Sequence, residues 1–141
     1  MSTEQNQKVL QRVIEEGFNQ GNYEALDSLF AAGYLEHQFG LGQTLAGLKQ
    51  DIRWLRTAFP DLHLTIEDMV ADSDKVWIRM TARGTNLGPL VGPPTGKPMT
   101  IAVIDVCRFE NGKIVEHWGI PDRFAQMAQL GLLPKPSGPQ S

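Results

Sequence analysis

Between Ile101 and Asp122 the chain reads IAVIDVCRFENGKIVEHWGIPD, placing ionisable side chains inside apolar, strand-like runs. Asp105 stands among Ile101, Val103, Ile104 and Val106, where a carboxylate is costly to bury unless it is paired or its pKa moves. In an apolar cavity such a group suits acid/base work; on a solvated face, or accepting a structural hydrogen bond, it would be inert. Asp122 follows Pro121 at the end of the second run. It reads either as an acid/base carboxylate at a cavity mouth or as the N-cap of a helix starting at Arg123, and spacing alone favours the cap.

Asn111-Gly112 between two alternating runs predicts a two-residue type I′ hairpin, since both central positions of that turn need positive φ. Pairing Glu110 with Lys113 then sets Phe109 opposite Ile114, Cys107 opposite Glu116 and Asp105 opposite Trp118. Cross-strand partners share a face. One face would therefore carry Asp105, Cys107, Phe109, Ile114, Glu116, Trp118 and Ile120, with Arg108 and His117 on the other. Glu116 is expected to pair with Arg79 or Arg83, and Cys107 to be a small buried hydrophobe rather than a nucleophile.

The histidines His37, His63 and His117 are too far apart for a local metal motif, and there is no HExxH or CxxC. No metal is expected. His63 alternates with a buried strand face and should be exposed; His37, amid Tyr34, Leu35 and Phe39, is a candidate for the cavity or a core histidine. The segment Gly84 to Gly96, GTNLGPLVGPPTG, has no phosphate-cradle pattern and reads as a lid or dimer-contact loop. No G-x-S-x-G elbow is present.

The elements that must position these groups follow from periodicity. Ser2 with Gln5 resembles a capping box, opening an amphipathic helix over Val9, Leu10, Val13, Ile14 and Phe18 that ends near Gly21. A second helix capped by Asn22 buries Leu26, Leu29 and Phe30 and stops at Gly33; Tyr34 to Phe39 is a short extended piece. A third helix carries Leu48, Ile52, Leu55 and Phe59 and closes at Pro60, with Trp54 off its stripe. From Leu62 the period becomes two, giving strands at Leu62 to Glu67, Val76 to Thr85, Met99 to Phe109 and Lys113 to Ile120, then a short helix from Arg123 to Leu130. Three helices packed on a curved, mainly antiparallel sheet form an α+β fold, and a twisted sheet curling round them leaves a cone-shaped hollow.

At 141 residues with a formal charge of −3 the chain makes one domain, residues 1–133, with a flexible Pro/Gly/Ser-rich tail at 134–141. The absence of a basic cluster argues against nucleic acid as partner. No stretch is apolar enough to span a membrane, and the polar N-terminus lacks a signal-peptide core. A cytoplasmic location is the default, in keeping with the single cysteine, Cys107.

Two blocks carry a family resemblance: GTNLGPLVGPPTGK over Gly84 to Lys97, and RFENGKIVEHW over Arg108 to Trp118. With the closing QLGLLP they resemble the SnoaL-like polyketide cyclases (ester cyclases) of the nuclear transport factor 2-like, cystatin-like superfamily. The resemblance implies an α+β cone with a deep apolar pocket, usually a homodimer, closing a ring by intramolecular aldol condensation without metal or cofactor. It implies an acid/base role for the aspartate at Asp122; the position matched by Asp105 often carries His in those cyclases. The expected mechanism has Asp122 removing a proton α to a carbonyl, Asp105 or His37 serving the enolate oxygen, and Trp118, Trp54 and Phe39 offering stacking surface beside Cys107. The rivals are a non-catalytic binder of small hydrophobic ligands and a cofactor-free epoxide hydrolase or isomerase.

Overall fold

The computed structural model describes residues 2–134; the tail expected at 134–141 lies, from 135 on, outside the described residues. Helix α1, Thr3–Arg12, opens with the reciprocal capping box, Gln5 N–H donating to Ser2 Oγ and Ser2 N–H to Gln5 Oε1. It widens into a π-helical continuation, Val13–Asn19, that buries Val13, Ile14 and Gly17. Gly17 is needed there, because a Cβ would stand 2.9 Å from Leu26 Cδ2. Asn19 ends this helix as a false strand partner: its amide donates to Leu64 O at 2.9 Å and accepts from Leu64 N–H at 2.8 Å.

The expected second helix is only a 3-10 turn, Tyr23–Ser28, and strand β1, Phe30–Glu36, begins before Gly33. The reason is tertiary. Strand β5, Lys113–Pro121, would otherwise have a bare edge, and β1 pairs with it in parallel, Phe30 with Ile114 and Glu36 with His117. Gly33, at φ +71°, takes up an irregularity between these pairs. Helix α2, Leu45–Ala58, is capped by Thr44, whose Oγ1 accepts from Gly47 N–H.

Strands β2 (His63–Asp72), β3 (Lys75–Thr85) and β4 (Pro98–Glu110) complete a five-stranded sheet of order β1-β5-β4-β3-β2, and helix α3, Arg123–Gln129, follows. Alternation along β3 and β4 turns Val76, Ile78, Met80, Ala82, Ile101, Val103, Cys107 and Phe109 inward, where they form one core with Leu10, Ile14, Leu48, Ile52 and Phe59 of the helical layer, and it turns the charged Asp105 inward with them. The fold is the expected α+β cone, with a fifth strand inserted between the second and third helices.

The hairpin turn is as expected, with Asn111 at φ +51° and Gly112 at φ +74°. The register beyond it is not. Glu110 pairs with Lys113 and Phe109 with Ile114, but Val115 has no partner, so Arg108 faces Glu116, Cys107 faces His117 and Asp105 faces Gly119. This β-bulge reverses every later inward and outward assignment on β5.

The block Gly84 to Lys97 is knitted round buried Asn86. Its Oδ1 accepts from Thr95 N–H at 2.8 Å and its Nδ2 donates to Gly88 O at 2.8 Å, while Leu87 and Gly88 N–H donate to Ala58 O. None of residues 84–96 lines the cavity; the loop packs on the end of α2 and leads into β4.

Candidate active site

The hollow lies between α1, its π-helical continuation and α2 on one side and the inner face of the sheet on the other. Its wall is apolar, from Leu10, Val13, Ile14, Phe18, Leu48 and Ile52 across to Met80, Ile101, Val103 and Ile114. Polar groups enter it at few places: Asp105 and His117 from the sheet, Gln38 and Asp51 beside the 38–43 loop, and Arg123 and Gln126 from α3. Asp51 Oδ2 is occupied by Gly42 N–H at 2.7 Å.

Asp105 is buried mid-strand, as the acid/base reading required. Its Oδ2 stands 3.4 Å from His117 Nε2, and its Oδ1 has no hydrogen-bond partner. His117, expected on the opposite face, is brought in by the bulge, with its side chain 13% exposed. Its Nδ1 lies 2.5 Å from Glu36 Oε2, and the Glu36 side chain is fully buried. Burial works against the imidazolium, but hydrogen bonds to Asp105 and then Glu36 outweigh it and lift the His117 pKa to about 10. Gly119, paired with Asp105, must lack a side chain: a Cβ would meet Gln38 Oε1 and come within 2.8 Å of Asp105 Oδ1.

The other expected site residues divide. Cys107 lines the cavity as a buried thiol whose pKa is pushed well up by burial, with the Asp105 and Glu36 charges adding to it. Trp54 reaches the cavity rim, half exposed. Trp118 and His37 lie outside it, the rings stacked on each other at 4.8 Å on the far face of the sheet. His37 Nε2 is 2.7 Å from Glu116 Oε2, and Glu116 takes Arg108 Nε–H at 2.7 Å rather than Arg79 or Arg83; Arg79 pairs with Asp68. Phe39 is 95% exposed in the loop after β1 and lines nothing. His63 is exposed, as expected.

Asp122 caps α3: its Oδ1 accepts from Ala125 N–H at 3.0 Å, and it is exposed between two residues, Pro121 and Arg123, that line the cavity while it does not. Glu36 and His117 escaped the sequence reading. Glu36 had a signal, because it shares strand parity with apolar Tyr34 whereas His37 does not; for His117 the bulge leaves no signal in the pattern. Among the described residues no group of three or more His, Cys, Asp or Glu is arranged to hold a metal ion.

Helices over a curled sheet, closing an apolar hollow with an Asp-His pair in its wall, define an α+β cone protein of the nuclear transport factor 2-like kind. The family model for SnoaL-like polyketide cyclase matches residues 8–130, and the chain belongs to that family, which supports an enzyme of the polyketide cyclase kind. It is 26% identical over 120 residues to nogalonic acid methyl ester cyclase of Streptomyces nogalater, covering 81% of this chain and 89% of that protein. The structure of TsrD from Streptomyces laurentii superposes with a TM-score of 0.86 at 28% identity, covering 94% of this chain and 99% of that one. IdmH from Streptomyces antibioticus does so at 0.81 and 32% identity, covering 89% and 98%. No helix among the described residues is long and apolar enough to cross a membrane.

Proposed function

We propose that the protein is a cofactor-independent cyclase that closes a ring by intramolecular aldol condensation of a hydrophobic, oxygenated, polyketide-like substrate. The observation that carries this is the Asp105–His117 pair, 3.4 Å apart in the wall of an otherwise apolar cavity. Asp105 takes the proton α to a carbonyl, and His117 donates through Nε2 to the oxygen on which charge builds. The enolate carbon bonds to a second carbonyl of the same molecule. That carbonyl's π electrons go to its oxygen, which receives the proton held by the pair. A relative named as a methyl ester cyclase supports an ester-bearing substrate.

The resemblance would give the acid/base role to Asp122; its engagement with Ala125 N–H favours a cap, and Asp105 then carries the proton. The variants Asp105→Asn and Asp122→Asn separate the two, because asparagine caps a helix about as well as aspartate. With an aromatic polyketide methyl ester of the nogalonic acid type, read by mass spectrometry, Asp105→Asn is expected to lower turnover by about 10²–10⁴-fold and Asp122→Asn to leave it within a few-fold. The reverse pattern returns the role to Asp122. A pure binder would yield no product and keep its thermal stabilisation by ligand in both variants.

The same reading extends to assembly as a homodimer through the outer sheet face. Val70, Trp77, Val106 and Trp118 are successive cross-strand neighbours there, with Ile104 and Ile120 in the next row and the pairs Asp68–Arg79 and Arg108–Glu116 alongside. A two-fold mate would lay stripe on stripe and oppose the charge pairs.

A further inference from the structure

We propose that Glu36 is the positioning residue of this site: by holding His117 at Nδ1 it commits Nε2 to proton donation and thereby makes His117 the acid and Asp105 the base. The inference rests on the cyclase reading for its catalytic meaning, and on the geometry around Glu36, with the raised phenol and thiol beside it, for the state of His117.

Glu36 ends β1 directly beside His117 in the parallel pairing, so the backbone sets the side chains next to each other. Three groups converge on its buried carboxylate. Tyr34 OH reaches Oε1 at 3.2 Å, Gln38 N–H reaches Oε2 at 3.1 Å, and His117 Nδ1 lies 2.5 Å from Oε2. A buried carboxylate persists only when its lone pairs are met by donors. The Gln38 donor is backbone and cannot titrate. Burial, and then the charge of Glu36, push the Tyr34 phenol far above its usual value, so it keeps its O–H and donates it to the carboxylate. An ionised carboxylate only accepts, so Nδ1, facing Oε2, must carry a hydrogen.

With Nδ1 fixed as a donor, only Nε2 can change state, and opposite it stands Asp105 Oδ2. An ionised carboxylate only accepts, so the contact holds one mobile proton between Nε2 and Oδ2. The remaining titratable groups around it do not compete: the Cys107 thiol of β4 stays protonated, Asp51 of α2 is tied to Gly42 N–H, and Arg123 of α3 stands on the rim as an exposed cation. The Glu36 side ends at buried Tyr34, so the proton exchanges through the cavity, where the substrate sits.

The test is a ¹³C–¹H NMR titration of the histidine rings in the full chain, His117 being identified by the signal lost in His117→Gln. In the wild type His117 is expected to stay protonated at pH 7.5 and to titrate above pH 9. Glu36→Gln should lower its midpoint by about one pH unit or more, and should cut kcat by about 10²-fold with KM nearly unchanged. Glu36→Asp, which keeps the charge and withdraws it by one methylene, should move the midpoint the same way by less, and serves where Glu36→Gln does not fold. A wild-type His117 midpoint near 6.5, or one unmoved in the folded Glu36 variants, overturns the proposal. Full turnover by Asp105→Asn with His117 titrating as expected overturns the cyclase mechanism instead and leaves the state of His117 standing.

Discussion

At the residue scale the behaviour of the site turns on His117, whose imidazole lies between Glu36 Oε2, 2.5 Å from Nδ1, and Asp105 Oδ2, 3.4 Å from Nε2. Its folded pKa of about 10 against an ordinary 6.5 has a consequence for stability. The native state keeps a proton that the unfolded chain releases, so this contribution is complete below about pH 6.5, weakens as pH rises and is gone above the folded value. The raised values of Cys107 and Tyr34 act in the same direction, but only above about 8.5 and 10, where those groups ionise in the unfolded chain. Urea unfolding of the wild type should therefore show stability falling between pH 6.5 and 8.5, and His117→Gln should be flat over that window. Equal slopes would place the His117 proton elsewhere.

At the element scale, α3 and the β4–β5 hairpin carry the argument. The seven-residue α3 is too short to persist without help, and its first turn relies on the Asp122 carboxylate. Asp122→Ala should lower unfolding free energy by about 1 kcal/mol and Asp122→Asn by much less, measured by chemical denaturation. A loss of turnover in Asp122→Ala without loss of stability would mean that the carboxylate does chemistry rather than capping. In the hairpin, unpaired Val115 shifts the later β5 side chains by one. That shift sends Trp118 and Glu116 out, where they meet His37 and Arg108, and brings His117 in beside Asp105. One extra residue thus exchanges an aromatic surface for an Asp-His pair.

At the scale of the whole molecule the two sheet faces divide the work. The inner face and the helical layer enclose the cavity; the outer face leaves Trp77 50% and Ile120 73% exposed, large apolar side chains where a solvated sheet face is expected to carry polar ones. Homodimerisation through this face predicts a dimer in sedimentation velocity at micromolar concentration. Ile120→Glu should weaken association at least about tenfold, or 1.4 kcal/mol, while His117 keeps its titration, since that group faces the other way. A wild type that sediments as a monomer would sink the dimer.

Much of the fold was legible in the chain because it rests on local rules: the Ser2 capping box, the helical stripe of Leu48, Ile52 and Leu55, the change to period two after Leu62, and the Asn111-Gly112 turn all depend on neighbours within a few residues. The family blocks were legible for the same reason, being contiguous. Asp105 and Cys107 were also placed correctly on the inner face, because β4 alternates without interruption. Only tertiary structure decided the rest. Strand β1 forms because β5 offers it an open edge, and an edge cannot be seen from residues 30–36. The bulge at Val115 follows from how two strands meet, so the parity that put His117 outside failed at the third residue past the turn. Glu36 and His117, 81 positions apart in sequence, become partners through that pairing, and the charge on the imidazole depends on two carboxylates that the chain delivers from β1 and β4.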